Sequence, residues 1–322
     1  MSSPSLSTRV RERGVTLANR ARVIPGAYLV IRIIRDLAVN DVTDRAMTLA
    51  AQAFTSILPI VILLTALPDQ TFITTALSGL GVDPDRVDLV SDATPGSATA
   101  IGVLGALMTI AGATSLSRAL GRMYVSVWQV TKLPISGWWR WVVVIFVFPV
   151  GVVLQGLASS LHHVTLNGRT LFGGYSIVGL ALEVVATFLI WTLLWTVVPR
   201  LLVSAQVPMR LLALDGVVSG LFITILLIGS RLALPTILSE TTKHYGTLGA
   251  VFVAISWLFF YAAIVVVSAI VVHTLVTDDG FVGAWIRRHA GTTHPFPVRP
   301  SEFLADDAFR IDPPVHDAPA ER

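Results

Sequence analysis

The sequence predicts an all-α fold: a polytopic membrane protein built as a six-transmembrane-helix bundle with an N-terminal amphipathic interfacial helix. Three observations carry this expectation. Of 322 residues, 54% are hydrophobic and only 13% are Asp, Glu, Lys or Arg, about half the charge of an ordinary soluble domain. The mean hydropathy is +0.74. The apolar residues run in long unbroken stretches instead of alternating with polar ones, which argues against an outer-membrane barrel. The same composition excludes a soluble enzyme, a disordered chain and a collagenous or coiled-coil rod.

In chain order, residues 1–25 read as a basic, disordered tail. Residues 26–39 are too short to span a bilayer. Tyr28, Ile31, Ile34 and Leu37 recur every three residues, while Arg32, Arg35 and Asp36 fill another sector. That pattern fits a helix lying on the cytoplasmic leaflet against anionic lipid, or a cytosolic cap packed on the bundle. Six windows follow, at about 46–67, 98–116, 139–161, 175–198, 211–234 and 248–276. Each is close to the roughly 20 residues needed to cross a bilayer, and backbone groups in lipid must be satisfied within the segment, so all six are read as helices. Between the first two, Phe72, Leu77 and Leu80 suggest a short interfacial helix broken at Gly81 and Pro84. From residue 291 to 322 the composition turns Pro-rich and acidic, the mark of a disordered tail. Residues 26–290 thus form one membrane domain.

The basic residues set the orientation. Of the 23 Lys and Arg, 19 fall in the N-terminal segment, the loop between spans two and three, the turn at Arg200 to Arg210, and the C-terminal tail. Only Arg86, Arg169, Arg231 and Lys243 lie on the other side. The excess of positive charge belongs inside, so both termini are expected in the cytoplasm. Trp138, Trp139 and Trp141 flank Arg140 as an aromatic belt at the start of span three. No cleavable signal peptide is visible. The chain has no cysteine, which excludes thiolate metal sites, disulfides and thiol nucleophiles. All but Lys132 and Lys243 of the basic residues are arginine, a codon bias of GC-rich bacteria.

Ionisable groups within the spans are the candidates for function, because each is costly in lipid. Glu183 lies in span four and Arg231 near the external end of span five, where the two can meet either as a structural tie or as a substrate or proton site. Asp215 opens span five and either complements that helix's N-terminus or carries a function. Gln52 in span one and Gln155 in span three read as interhelical hydrogen-bond glue or as lining of a polar path. Gln52, Gln155, Glu183 and Arg231 are therefore the candidate path. Pro59, Pro149, Gly216, Gly220, Gly246 and Gly249 are candidate hinge or packing positions. His162, His163, His244 and His273 sit at span ends without metal-ligand spacing. No phosphate loop, nucleophile elbow or dinucleotide fingerprint occurs, so no catalytic residue, metal or cofactor is expected.

Three stretches resemble the YihY/BrkB family of bacterial inner-membrane proteins, once labelled ribonuclease BN and including the YhjD subgroup. They are Ala50-Ala51-Gln52-Ala53-Phe54-Thr55-Ser56-Ile57-Leu58-Pro59, Asp215-Gly216-Val217-Val218-Ser219-Gly220, and Tyr245-Gly246-Thr247-Leu248-Gly249-Ala250 followed by Trp257-Leu258-Phe259-Phe260. The resemblance runs from about residue 26 to 285. It implies six spans, cytoplasmic termini and a transport-like role, with lipid export proposed for the YhjD subgroup. One departure is that family members often carry Gly-Ala-Glu near the end of span six, whereas Ser268-Ala269-Ile270 has no acid. A nuclease role is disfavoured, since Asp278 and Asp279 alone do not supply the clustered ligands that metal-dependent cleavage needs.

The expected protein is a multi-pass transporter or lipid-translocating permease of the bacterial plasma (inner) membrane, and not an enzyme. A non-catalytic scaffold for an envelope assembly is the alternative. Expected partners are the lipid bilayer and anionic lipid of the cytoplasmic leaflet, with no nucleic acid; a homo-oligomer is left open.

Overall fold

The computed structural model describes residues 27–65, 95–130, 138–159, 165–166, 169–170, 177–203, 206–278 and 280–291. The two tails and the segment 70–90 expected to hold a short helix lie outside the described residues. The described chain is helical apart from a two-residue antiparallel bridge, Thr165–Leu166 against Arg169–Thr170. In order, the helices are α1 (Ala27–Val39), α2 (Val42–Thr65), α3 (Pro95–Val127), α4 (Trp138–Ser159), α5 (Ile177–Val203), α6 (Met209–Tyr245), α7 (Thr247–Val276) and α8 (Phe281–Ala290).

Among the described residues, α4 to α7 are long and apolar enough to cross a membrane. Helices also cover the first two apolar windows, as α2 and α3. Several helices outrun their windows. At 1.5 Å per residue, the 37 residues of α6 span about 56 Å, well beyond the roughly 30 Å of hydrocarbon. Likewise α3 continues to Val127, so Arg118 and Arg122, expected in a loop, stand on its exposed flank. Apolar character falls away there, but nothing in 117–127 breaks a helix: there is no proline, and the only glycine is Gly121. Prolines do not end helices either, as α4 continues through Pro149 and α2 through Pro59.

The long helices close into a ring. α2 packs on α3 and α7, α6 lies between α5 and α7, and α4 lies against α5 and α3; α3 also touches α5 and α7. Trp128, Trp195, Tyr124, Leu202, Leu211, Leu212 and Ile223 fill the interior and are almost completely buried. Outward, Phe146 and Leu157 on α4, Leu189 and Leu193 on α5, Ile225 on α6 and Phe260 on α7 stay exposed. A belt of large apolar side chains on every side is a lipid-facing surface, not one made for water.

Two corners show how the chain turns. Asn40 ends α1 by returning both its backbone N–H and its side-chain amide to the Asp36 carbonyl. Between α6 and α7 the link is Gly246 alone, at φ 59° and ψ −143°, a region open to glycine and strained for other residues. A Cβ on Gly249 would come within 2.7 Å of the Thr241 carbonyl carbon, so the small residue lets the two helices start side by side. The Tyr245-Gly246-Thr247-Leu248-Gly249 stretch is therefore the tight corner of a helical hairpin.

The basic end of the ring is tied by α1 and α8. Arg32 donates to Thr277 Oγ1 (3.2 Å) and lies 3.6 Å from Asp278; Thr274 donates to Asp36 at 2.9 Å. The polar sector of α1 thus faces the end of α7, while Val30, Ile31, Ile34 and Val39 remain exposed. Of the two placements expected for this helix, packing on the bundle is seen, with an apolar flank left exposed. The helix α8 was not anticipated from the sequence. Arg287 holds it by donating to the Val276 and Asp278 carbonyls, both at 2.6 Å, and its exposed Phe281 and Trp285 form a second apolar flank.

Candidate functional site

Three of the four residues expected to line a polar path come together away from the basic end. Glu183 on α5 and Arg231 on α6 form an ion pair. Arg231 Nη2 also donates to Ser159 Oγ on α4 (3.0 Å), and Ser159 in turn donates to the Gln155 carbonyl (3.0 Å). The Gln155 amide donates to Thr187 Oγ1 (3.1 Å) and its Oε1 accepts from Trp191 Nε1 (3.0 Å). Gln155, Glu183, Thr187 and Trp191 are all buried. Polar groups removed from water are stable only when partnered, and this network partners them across three helices.

Spacing along α5 explains the assembly. Glu183, Thr187 and Trp191 recur every four residues, and Trp195 extends the same stripe. Below the network, Trp195 Nε1 donates to the Tyr261 hydroxyl at 3.1 Å, and Trp257 stacks on Tyr261 with ring centroids 5.7 Å apart. Trp257 Nε1 donates to Ser230 Oγ at 2.7 Å, one residue from Arg231. Every indole here turns its N–H to an acceptor, so the aromatic layer is part of the polar wiring. Ser159, Thr187, Trp191 and Tyr261 were not singled out from sequence; the four-residue repeat on α5 was the available signal.

Gln52 is not part of this cluster. It lies on α2, which packs against α3 and α7, and its side-chain oxygen is buried with no hydrogen-bond partner among the described residues. Gly216 and Gly220 act as close-packing positions: a Cβ on Gly216 would sit 2.6 Å from the Thr192 carbonyl, and one on Gly220 would sit 2.8 Å from the Thr192 nitrogen. The glycine face of α6 therefore lies directly on the α5 backbone.

At the basic end, Asp215 is fully buried. α6 starts at Met209, so Asp215 lies beyond the first turn, where a helix N-terminus acts most strongly on a charge. The Tyr124 hydroxyl of α3 faces its carboxyl group. A cleft of about 190 Å³ opens between α2 and α3, bordered by Asp44, Arg45, Arg122, Met123 and Ser126. Among the described residues, no group of three or more His, Asp or Glu side chains is placed to hold a metal ion.

A ring of long apolar helices around a sparse polar interior, with lipid-facing residues on its outside, defines an integral membrane protein. The sequence model of the family described as Virulence factor BrkB matches residues 33–279, and the chain belongs to that family, which is the YihY/BrkB family. No curated protein and no solved structure matches the chain.

Proposed function

We propose that this protein is a six-span transporter or lipid-translocating permease of the bacterial plasma membrane, with both termini and the basic end in the cytoplasm. The observation that carries the reading is the Glu183–Arg231 ion pair, linked through Ser159 to Gln155 and on to Trp191 across α4, α5 and α6. An arginine about two-fifths exposed, held by a buried carboxylate, can exchange that partner for the anionic group of a cargo. Such an exchange would loosen three helices at once, because the same guanidinium holds α4 through Ser159. The mechanism asks for binding and movement rather than bond-breaking chemistry, so no catalytic role is assigned. The exposed apolar flanks of α1 and α8 suit contact with the inner leaflet, where arginines beside them meet anionic lipid.

Reconstitution into liposomes with labelled lipids and candidate anionic solutes tests the reading. Flux is expected from the unaltered protein and a large loss from Arg231→Ala. Absence of flux for every cargo, with cellular phenotypes intact in Glu183→Gln and Arg231→Ala, would reject it. A second reading, a non-catalytic scaffold, draws on the full engagement of the Gln155 side chain within the protein, as expected of helix glue. A pull-down with and without residues 291–322 separates the two, since a transport core should tolerate loss of that tail.

A further inference from the structure

The side chains of Gln155, Thr187 and Trp191 partner one another, whereas a second buried polar group, around Asp215, is poorly satisfied. Asp215, Tyr124 and Ser219 are each at 0% exposure. Neither carboxyl oxygen of Asp215, nor the hydroxyl of Tyr124, nor that of Ser219 makes a hydrogen bond of good geometry among the described residues, although the Tyr124 hydroxyl stands close enough to the carboxyl to share a proton with it. Ser219 lies one turn after Asp215 on the same face of α6, and Tyr124 faces the carboxyl from α3. Four oxygen atoms are thus gathered out of water with few of the contacts that normally offset burial. We propose that Asp215, with Tyr124 and Ser219, is a proton-binding and proton-releasing site at the basic end of the bundle.

The surroundings favour a proton over a metal ion. Among the described residues no basic side chain pairs with Asp215. The facing groups are the Tyr124 phenol on α3 and, one step further, the Tyr261 phenol on α7. From α5, Thr192 and Thr196 pack against the adjoining Gly216 and Gly220 and bring no charge. Calcium takes about six to eight oxygens and magnesium about six, and α6 remains helical through this region, keeping its carbonyls in its own hydrogen bonds. A carboxylic acid needs only an acceptor, and a carboxylate only a donor; a phenol and an alcohol serve as either. Asp215 and Arg231 are 16 residues apart on α6, about 24 Å along one helix, so protonation below and ion-pair opening above act on the same rigid element.

That coupling rests on the transport reading; the proton site does not. The test is infrared difference spectroscopy on the full chain in lipid nanodiscs, in light and heavy water, from mildly acidic to mildly alkaline pH. A neutral-carboxyl stretch is expected that shifts in heavy water, fades reversibly as pH rises, and is missing in Asp215→Asn. Tyr124→Phe and Ser219→Ala should keep the band and move its midpoint, while Glu183→Gln leaves it unchanged. Where Asp215→Asn does not fold, isotope-labelled aspartate in the Tyr124→Phe protein makes the assignment. A carboxyl ionised at every pH, a band constant across the range, or a band abolished by sodium at fixed pH each overturns the proposal. An intact band with no liposome flux removes the transport reading alone, and flux without the band removes this site alone.

Discussion

Replacing each partner of the Glu183–Arg231 pair should give unequal costs. The Glu183 side chain is 4% exposed and that of Arg231 is 42% exposed. Arg231→Ala takes a cation away from a buried carboxylate, and breaking a buried pair costs about 3–5 kcal/mol; partial exposure of the pair puts the expected loss near the lower end, about 3 kcal/mol. Glu183→Gln leaves a half-exposed guanidinium that keeps Ser159 and can turn to solvent, so its cost is expected at about 1 kcal/mol, as for an exposed pair. The double substitution should cost less than the two together, leaving a coupling energy of about 1–2 kcal/mol. Tryptophan fluorescence during unfolding in mixed detergent micelles would measure all four corners of this cycle. Additivity within about 0.5 kcal/mol, or a larger loss for Glu183→Gln than for Arg231→Ala, would refute the reasoning.

Other substitutions probe the remaining contacts. Gly216→Ala and Gly220→Ala each drive a methyl into the α5 backbone and should cost about 1–3 kcal/mol by the same unfolding measurement, with Gly229→Ala, which meets open space, as the neutral control. Gly246→Ala should cost about 1–3 kcal/mol from backbone strain alone; an unchanged unfolding midpoint would contradict the corner geometry. Gln155→Leu strips the acceptor from Trp191 and the donor to Thr187, for an expected loss of about 1–3 kcal/mol and a shifted tryptophan emission. Arg32→Ala should release α1 from α7 and speed amide exchange across Ala27–Val39 while leaving the α5–α6 pair protected.

The helices were legible because hydrophobicity in a membrane chain is nearly a direct record of burial in lipid. Each apolar window has a helix on it, and the differences lie at the ends. Beyond the hydrocarbon, helix length is no longer set by apolarity but by whether anything stops the helix. Between 235 and 245 only Pro235 interrupts, and α6 runs on to the glycine at 246. The helix α8 escaped notice for a related reason. Phe281-Val282-Gly283-Ala284-Trp285-Ile286-Arg287-Arg288 is too short and too basic to read as a span, and its anchor is an arginine reaching two carbonyls, which leaves no pattern in a sequence.

The candidate site was legible in proportion to how unusual its residues are in lipid. Glu183 and Arg231 stand out because charge is rare there, and they pair. Gln155 stands out less, and Gln52 has the same chemistry in an unrelated place on α2. Threonine and serine carry almost no signal, since in an isolated helix they can return their hydroxyls to their own backbone, as Thr224 does to the Gly220 carbonyl and Ser230 to that of Leu226. Thr187 instead accepts from Gln155, and Ser219 makes no such return, and only their neighbours on other helices make that difference meaningful. Asp215 lies at the limit of this argument. Its charge was visible, but a position near a helix start made a simple electrostatic role sufficient. The start of α6 at Met209, the burial of Tyr124 against Asp215, and the lack of a partner for Ser219 among the described residues shift the weight, because a carboxyl group meant only to complement a helix end has no need to be sealed from water beside two hydroxyls.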